Sequence, residues 1–380
     1  MAEGGNEALK ARADKARRWM MEEAFPLWAR VGLHPAGGFQ ERLGLSGEPL
    51  DDPTSRVRLQ ARQTFCFSYA RALGWDQRKA DMLIAEGVRV LARDCRRADG
   101  IFGKQVRLGE GLSDDRADLY DTAFALLGFT TAAQTGNGQA KVNAARLNRA
   151  IDSVLMRRSG KDGFFETLPE GAARLQNPHM HLFEASLAYY AFTKDQAARD
   201  RLDHILALIS QRFFDEDSGH LHEKRAMDWG EHPDNGLEAG HHYEWVWLLD
   251  AFTRVTGAAL PGFAKALYET ACALTDDTGR IALGHDLSGN VSQALYRTWS
   301  QTEALKAHLV AFSRGWTDVE TVTACFDLLW QDHIAPAPAG AWIDRVDSAG
   351  RPAASDITAA TGYHIYLALD ELLQVAAGRA

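Results

Sequence analysis

The feature that most limits the fold of this 380-residue chain is a pattern of paired helices that recurs along its whole length. One unit of two helices and a turn or hairpin takes about sixty residues. Apolar residues at three- and four-residue steps, such as Leu9, Ala13 and Ala16, predict amphipathic helices. Loops rich in Gly, Asp and aromatic residues, such as residues 99–103, predict turns with short strands. The predicted helices cover approximately residues 6–30, 53–73, 76–95, 115–134, 140–158, 178–193, 196–212, 239–256, 260–275, 297–313, 316–332 and 357–376.

Six such units form either an open solenoid or a closed ring of helix pairs. An open solenoid requires polar capping repeats at both ends. The last predicted helix is instead as apolar as the interior ones, with Ile365, Leu369 and Leu372 on it. We therefore predict an all-α closed toroid of about twelve helices with short hairpins in its loops, formed as one domain over residues 1–380 without a linker.

The composition excludes several classes of protein. The hydrophobic content of 46% allows a large core, and the net charge of −9 is spread over interleaved acidic and basic residues, so nucleic acid is not an expected partner. No apolar run approaches the ~20 residues of a membrane span, and residues 1–18 lack an apolar signal segment, which predicts a cytoplasmic protein that does not bind membranes. We expect a monomer or homodimer that acts on a small molecule.

The four cysteines are widely spaced, so neither a disulfide framework nor structural zinc is expected, and we predict buried thiols. They are Cys66, Cys95, Cys272 and Cys325.

A closed ring brings the first turns of alternate helices together at one end, where they line a funnel. Polar or aromatic residues occur there at positions where a helix face should be apolar. These candidates are Arg62, Gln63, Tyr120, Asp121, Asn177, His179, His181, Glu184, His241, Glu244, Trp299, Gln301, Glu303 and His364.

Two of the histidines are candidates for an acid/base pair. Imidazole titrates near neutral pH, so His241 and His364 can each take and return a proton. Glu244 follows His241 by three residues on the same helical face, where it either orients the ring or binds a substrate hydroxyl. The alternative is that the two histidines are unrelated surface or core residues. The adjacent His242 has no assigned role.

Arg62 lies on an otherwise apolar helical face and is costly to bury unpaired. It either forms a structural salt bridge or polarises a substrate oxygen. Aromatic residues near the predicted funnel suit the flat face of a sugar ring, although core packing also explains aromatic side chains. They are Tyr120, Trp229, Trp245 and Trp299.

Metal and nucleotide cofactors receive no support from local motifs. The rings of His179 and His181 project about 200° apart on a helix, and His220 and His222 share a face only in a strand. No Gly-x-Gly-x-x-Gly segment follows a strand, and no phosphate-binding Gly-Lys-Ser/Thr loop occurs. We expect neither a metal nor an organic cofactor.

Five short motifs, in their order along the chain, resemble the N-acylglucosamine 2-epimerase superfamily, which includes mannose isomerase, sulfoquinovose isomerase and cellobiose 2-epimerase. The resemblance runs nearly the full length. The motifs are Arg62-Gln-Thr-Phe65, Asn177-Pro-His-Met-His-Leu-Phe-Glu-Ala185, Gly240-His-His-Tyr-Glu-Trp245, Trp299-Ser-Gln-Thr-Glu303 and Gly362-Tyr-His-Ile-Tyr366.

This resemblance implies an (α/α)6 barrel and metal-independent proton transfer at C2 of an aldose. By the same resemblance His241 and His364 are the acid/base pair, with His364 favoured as the C2 base, and Arg62 polarises the carbonyl. Positions that bind or orient the sugar in such proteins correspond to Asn177, His181, Glu184, Glu244, Trp299 and Glu303, and Tyr120 joins them as an aromatic surface of the funnel.

We expect a free-sugar aldose–ketose isomerase of the mannose/fructose type. The alternative within the family is a 2-epimerase on mannose/glucose, a β-1,4-linked disaccharide or an N-acyl hexosamine. Arg225 or Arg297 would serve an anionic sugar, and the loops at about 104–114, 224–238 and 284–297 are expected to select the sugar. From another class, a glycoside hydrolase would use Asp121 with Glu184, and a sugar-binding protein would need neither histidine.

Overall fold

The helices of the computed structural model form two concentric layers around one axis, and the model describes residues 3–157 and 163–378. Inner and outer helices alternate along the chain. The inner helices are buried on nearly every side, as expected for helices enclosed by a second layer. They are α3 (Val57–Ala72), α5 (Leu119–Gln134), α7 (Gln176–Thr193), α9 (Ala239–Thr256), α11 (Thr298–Ser313) and α13 (Gly362–Ala376).

The outer helices bury one face against this inner ring. Four of them contain or end in a π-helical segment, at Met20–Ala24, Ile151–Leu155, Ile209–Phe213 and Trp330–Ile334. The first segment joins α1 to α2 without a break, so the described ranges hold twelve separate long helices, as predicted. The outer helices are α1 (Glu3–Trp19) with α2 (Phe25–Val31), α4 (Gln77–Arg93), α6 (Gly138–Ala150), α8 (Gln196–Leu208), α10 (Ala264–Ala273) and α12 (Val319–Leu329).

The ring is closed. Helix α13 packs against both α11 and α3, and α1 packs against α12 and α13, so the first and last units touch. This confirms the predicted (α/α)6 barrel. Among the described residues, no helix combines the length and apolarity needed to cross a lipid bilayer.

Short antiparallel strands connect the helix pairs on one end of the barrel. Strands that precede an inner helix pair with strands that follow an outer helix, and the pair β1–β12 joins the two ends of the chain. The sheets are β1–β12, β2–β3–β4, β5–β6, β7–β8 and β9–β10–β11. The strands are β1 (Arg42–Leu43), β2 (Thr54–Arg56), β3 (Gln105–Arg107), β4 (Gly111–Asp114), β5 (Ala117–Asp118), β6 (Thr167–Leu168), β7 (Arg174–Leu175), β8 (Lys224–Arg225), β9 (Ala282–His285), β10 (Val291–Arg297), β11 (Arg345–Val346) and β12 (Ile357–Thr358).

A repeated hydrogen bond fixes these connections to the inner helices. In α3, α5, α7 and α9 the side chain of the fourth residue accepts a hydrogen bond from a backbone N–H in the turn after the preceding outer helix. Each bond satisfies a buried donor that would otherwise be costly. The bonds are Phe39 N to Gln60 Oε1 (2.8 Å), Phe102 N to Thr122 Oγ1 (3.3 Å), Phe164 N to His179 Nε2 (3.0 Å) and Leu221 N to His242 Nε2 (2.9 Å).

The helix starts predicted at about residues 53, 115, 260 and 357 are four or five residues too early, and the first and last of them show why. The helix expected from residue 53 begins at Val57, because Thr54–Arg56 pairs with β3 instead. The helix expected from residue 357 begins at Gly362, since Ile357–Thr358 pairs with β1. In both places, pairing with a distant strand outweighs the local helix signal. The predicted helix end at residue 158 lies outside the described residues.

Candidate active site

A cavity of about 530 Å³ opens at the end of the barrel where the inner helices begin. Its floor comes from the first two turns of those helices, and its walls come from the short strands. The lining residues are Arg56, Arg58, Arg62, Lys104, Asp118, Tyr120, Leu175, Asn177, Pro178, His181, Glu223, Lys224, Glu238, His241, Glu244, Leu283, Arg297, Trp299, Thr358, Ala360, Thr361 and His364.

Most of the predicted site residues meet in this cavity, because they occupy equivalent positions near the starts of successive inner helices. Those that line it are Arg62, Tyr120, Asn177, His181, His241, Glu244, Trp299 and His364.

Two predicted sugar-binding carboxylates, Glu184 and Glu303, do not line the cavity. Glu184 Oε2 lies 3.1 Å from Nδ1 of His181, and Glu303 Oε1 lies 2.8 Å from Nδ1 of His364. Both carboxylates therefore contact histidines from behind, which corrects their expected position.

Asp121 is also not part of the cavity. Its side chain is fully buried and accepts hydrogen bonds from the backbone N and the guanidinium of Arg58, at 2.6 and 2.8 Å. Burial, with the neighbouring Asp118 adding to it against the opposing charge of Arg58, raises the pKa of Asp121 to about 7. The Asp121–Glu184 pair considered for a hydrolase is absent from the cavity, since neither side chain reaches it.

Three other candidates from the sequence have structural contacts. Gln63 Nε2 donates to the backbone oxygen of Ala359 at 2.8 Å, and His179 accepts the backbone hydrogen bond described above. Gln301 faces a separate pocket and contacts Cys325. His242, which had no assigned role, repeats the contact of His179 in the next unit.

Trp229, Trp245 and Arg225 likewise lie away from the cavity lining. The indole of Trp245 donates to Oε1 of Gln176 at 3.0 Å within the core, and Arg225 Nε donates to the backbone oxygen of Arg212. They therefore do not form the sugar surface or anion site considered from the sequence.

His241 is 4% exposed and faces two carboxylates. Its Nδ1 lies 2.9 Å from Glu223 Oε1 and 3.6 Å from Glu238 Oε2. Burial alone would lower the pKa of His241, but the negative charges of Glu223 and Glu238 outweigh burial and raise it to about 10. His241 is therefore an imidazolium at neutral pH and carries a proton that it can donate.

His364 has the opposite charge state. Burial lowers its pKa well below the ordinary value, and the positive charges of Arg62 and Lys306 lower it further. His364 is therefore neutral at pH 7. Because its Nδ1 contacts Glu303, the hydrogen-bond pattern assigns the proton to Nδ1 and leaves Nε2 free to accept one.

The indole of Trp299 lies beside both imidazoles. Its ring centroid is 5.0 Å from that of His241 and 6.0 Å from that of His364. A donor and an acceptor of protons are thus held at one aromatic surface in one cavity.

Arg62 presents its guanidinium to the cavity without a carboxylate partner. It makes no ion pair within residues 3–157 and 163–378, which contradicts the salt-bridge alternative. Its Nη2 donates to Tyr120 OH at 2.8 Å, and its guanidinium lies 4.1 Å from the ring centroid of Phe124. Aromatic and hydroxyl contacts leave its positive charge available to an oxygen in the cavity.

Sequence reasoning missed Glu223, Glu238 and Tyr363. Glu223 directly precedes β8 and reaches His241 through the fold, so no local spacing marks it. Glu238 lies three residues before His241, a local spacing that could have marked it. Tyr363 OH donates to Glu184 Oε1 behind His181. The signal that was available for Tyr363 is its place next to His364 in a motif already singled out.

Three groups of side chains place three ligand-type atoms within 4.8 Å of one another. Their members already contact histidines or each other, and the third also borders Lys306, whose Nζ lies 2.5 Å from Glu303 Oε2. An ammonium thus supplies positive charge beside the third group. The groups are His181–Glu184–Glu244, Glu223–Glu238–His241 and Glu244–Glu303–His364.

Comparison with known proteins gives consistent results. A family model described as N-acylglucosamine 2-epimerase (GlcNAc 2-epimerase) matches residues 37–368. A mannose-6-phosphate isomerase of Rhizobium meliloti strain 1021 is 32% identical over 389 residues, covering 96% of this chain and 97% of that protein. A cellobiose 2-epimerase of Bacteroides fragilis is 25% identical over 332 residues, covering 81% and 83%. A solved structure of a D-mannose isomerase, 20% identical, has a TM-score of 0.84 and covers 97% of each chain.

Proposed function

This chain belongs to the N-acylglucosamine 2-epimerase family, a family of sugar isomerases and epimerases, and we propose that it converts a free aldose to the corresponding ketose, with mannose and fructose as the representative pair. The observation that carries the proposal is the unequal charge of two histidines at one cavity. His364 is neutral and His241 is protonated, and the unpaired guanidinium of Arg62 lies in the same cavity.

The reaction first requires an open-chain sugar, because only that form has a carbonyl at C1. Ring opening releases the O1 proton to solvent water and delivers one proton to the ring oxygen. We assign His241 as the donor to the ring oxygen, since it holds a proton at neutral pH. After the transfer, the negative charge of Glu223 favours the return of a proton from solvent to the imidazole of His241.

Proton abstraction at C2 then falls to Nε2 of His364. The electron pair of the C2–H bond moves to the carbonyl and leaves negative charge on O1, where Arg62 stabilises the enediolate. Return of the same proton to C1, with transfer of the O2 proton to O1, gives the ketose. The net change moves one hydrogen from C2 to C1 and one from O2 to O1.

Sugar binding is assigned to the remaining predicted residues of the lining. Tyr120, Asn177, His181 and Trp299 supply aromatic surface and hydrogen-bonding groups. Burial lowers the pKa of His181 to about 4, so it binds as a neutral ring. Glu244 lines the cavity, and its two buried carboxyl oxygens have no hydrogen-bond partner within the described part of the chain, so we assign this carboxyl group to a sugar hydroxyl.

Charge pairing around the cavity favours a neutral sugar over a phosphorylated one. Most lining cations already contact a carboxylate, and Lys224 is the lysine of the lining without such a contact in the described ranges. The name of the relative from Rhizobium meliloti makes the phosphorylated sugar the specific alternative. The pairs are Arg56–Glu41, Arg58–Asp121, Lys104–Asp118 and Arg297–Asp344.

A 2-epimerase is the second candidate, and the protonated state of His241 favours it. If His241 reached C2 from the face opposite His364, its proton would complete an inversion at that carbon. The two outcomes therefore differ in which atom receives the returning proton.

Incubation of mannose with the enzyme in deuterated water, followed by proton NMR, separates these outcomes. Fructose signals support isomerisation, and glucose signals support epimerisation. Loss of the H2 signal without product supports a base that does not complete turnover. No change with mannose, mannose 6-phosphate or cellobiose would contradict the proposal and favour a binding protein. Full activity after prolonged chelation would support the expected metal independence.

A further inference from the structure

Lys306 is a fully buried lysine on α11, one helical turn beyond Glu303 and outside the cavity lining. Its Nζ forms a close ion pair with Glu303 Oε2 at 2.5 Å and lies 3.9 Å from the ring centroid of Trp247. Neither atom of the ion pair has another hydrogen-bond partner within the described residues. A buried charge is stable only where opposite charges or hydrogen bonds offset the free energy lost when it leaves water.

The compensation comes from three carboxyl groups on three inner helices. Glu303 is on α11 with Lys306, Glu244 is on α9 and Glu184 is on α7, and each interacts electrostatically with Lys306. All three are buried, and like charges close together oppose ionisation. Lys306 is thus the shared positive charge behind the site.

Two of these carboxyl groups contact a ring that faces the cavity. Burial and the charge of Glu184 raise the pKa of Glu303 to about 7 against the opposing charge of Lys306, so the ionisation of Glu303 near neutral pH depends on that lysine. Glu303 contacts Nδ1 of His364, and Glu184 contacts Nδ1 of His181. A carboxylate accepts a hydrogen bond from Nδ1–H, whereas a neutral carboxylic acid donates its own proton to that nitrogen. The charge of Glu303 therefore decides which nitrogen of His364 is free.

We propose that Lys306 is a positioning residue that keeps Glu303 ionised, so that His364 holds its proton on Nδ1 and offers Nε2 as the base. Its countercharge acts through Glu303, since Lys306 does not reach the cavity. This inference rests on the proposed function for the role of His364 as base, but the protonation state itself is measurable without turnover.

A role for Lys306 as a nucleophile toward the sugar carbonyl is excluded by the same geometry. The amine lies outside the cavity lining. The carboxyl charges of Glu303, Glu244 and Glu184 outweigh burial and raise its pKa, so it remains an ammonium. The ionisable groups that interact with Lys306 electrostatically are Glu184 on α7, Glu244 on α9, Glu303 on α11 and His364 on α13.

The first test is the tautomer of His364, measured by long-range ¹H–¹⁵N correlation in protein labelled with ¹⁵N-histidine. The signals of His364 are assigned by comparison with His364→Gln. In the wild type at pH 8, above the pKa of Glu303, we expect a neutral ring with the proton on Nδ1. In Lys306→Met, which keeps the apolar stem, we expect Glu303 to take up a proton and the ring proton to move to Nε2. The same tautomer in both proteins would overturn the proposal.

The second test is the pH dependence of kcat. We expect Lys306→Met to lower kcat at pH 7 by about tenfold or more, with KM changed much less. Raising the pH should ionise Glu303 again, so the variant should recover activity toward pH 9, with its acid limb at higher pH than that of the wild type. A loss independent of pH would indicate a packing role and contradict the inference.

Lys15→Met is the matched control, because Lys15 also lies over an indole, 4.0 Å from the ring centroid of Trp330, but on the outer layer. In Lys15→Met, neither the tautomer of His364 nor kcat should change. If Lys306→Met does not fold, the double variant Glu303→Gln/Lys306→Met decides the matter. Folding of the double variant alone supports the countercharge role, and failure of both assigns Lys306 to packing and overturns the proposal.

The outcomes also separate this inference from the proposed function. An unchanged tautomer in an active isomerase rejects the role of Lys306 alone. A changed tautomer in a protein that turns over none of the sugars tested rejects the isomerase and leaves the role of Lys306 intact.

Discussion

Nδ1 of His364 lies 2.8 Å from Oε1 of Glu303. A nearly equal distance of 2.9 Å separates Nδ1 of His241 from Oε1 of Glu223. The two contacts look alike, yet the rings carry different charges. Beside His364, the ammonium of Lys306 offsets the negative charge of Glu303. Beside His241, a second carboxylate, Glu238, adds to the negative charge of Glu223. The surroundings of the carboxylate, rather than the contact itself, thus set the protonation of each histidine.

Replacing His364 or His241 by Gln is expected to lower kcat by about 10²–10⁴-fold, the usual contribution of a general acid or base. His364→Gln should also abolish exchange of H2 with deuterated water. His242→Gln is the matched control, since His242 is the adjacent buried ring but binds a backbone N–H. Its activity should stay close to that of the wild type. Wild-type exchange in His364→Gln would remove His364 from the role of base.

The pH profile of kcat/KM is expected to be broad. Activity requires a neutral His364, whose pKa lies well below 6.5, and a protonated His241, whose pKa is raised to about 10. Protonation of Glu303, whose pKa burial raises to about 7, also removes the active tautomer of His364. The acid limb should therefore lie near pH 7 and the alkaline limb near pH 10. Removing a negative charge beside His241 lowers its pKa, so Glu223→Gln should move the alkaline limb to lower pH.

The exposed Glu216, in the hairpin before Glu223, provides the control for that shift. Glu216→Gln should leave both limbs in place. An alkaline limb that stays near pH 10 in Glu223→Gln would show that another group titrates there.

Arg62→Lys is expected to reduce kcat by about 10²–10³-fold, because lysine keeps the charge but loses the planar fork that reaches both Tyr120 and a substrate oxygen. Steady-state kinetics with mannose, together with H2 exchange, measure the loss. Arg314→Lys alters an arginine that pairs with Asp250 toward the C-terminal ends of α11 and α9, away from the cavity, and should have little effect. Equal losses in both variants would indicate a general effect on folding.

The enzyme is expected to show a higher kcat/KM for mannose than for mannose 6-phosphate, since most cations at the cavity already contact carboxylates. Lys224→Gln should leave the rate with mannose nearly unchanged. A preference for the phosphorylated sugar that disappears in Lys224→Gln would instead identify Lys224 as its anion contact and reject the neutral substrate.

Closure of the barrel depends on a stacked pair of indoles. Trp28 on α2 and Trp342 in the loop before β11 have ring centroids 4.8 Å apart, and both are buried. Trp342→Ala should lower the free energy of unfolding by about 3–5 kcal/mol. Urea denaturation measures this change. Trp316→Ala, at a half-buried indole beside Tyr268, should cost clearly less. A similar loss in the free energy of unfolding for both variants would show that the Trp28–Trp342 pair makes no particular contribution to closure.

The two layers of helices and most of the residues of the cavity could be predicted from the sequence, because both depend on helical periodicity. His241, Trp299 and His364 recur near the starts of inner helices, so closure alone brings them together. Glu223 could not be found in this way, since it reaches His241 through the pairing of β7 with β8. Lys306 did leave a signal, as a lysine three residues after Glu303 on a helix with no other lysine or arginine.

Helix starts were harder to predict than helices. Thr54–Arg56 has the composition of a helix entrance but lies extended, because β3 is available to pair with it. Strand pairing between units is a property of the closed ring and has no local trace. The prediction of one domain over residues 1–380 follows from closure and stays a prediction.

The hydrogen bond from a turn to the fourth residue of an inner helix recurs in four units, through Gln60, Thr122, His179 and His242. The inner helices α3, α5, α7 and α9, which carry Arg62 and His241 among others, are thereby tethered within their first two turns. Loops exchanged between relatives should then alter which sugar is admitted without displacing Arg62 or His241. Loops can therefore be grafted onto this scaffold to change its sugar selectivity while the reaction stays the same.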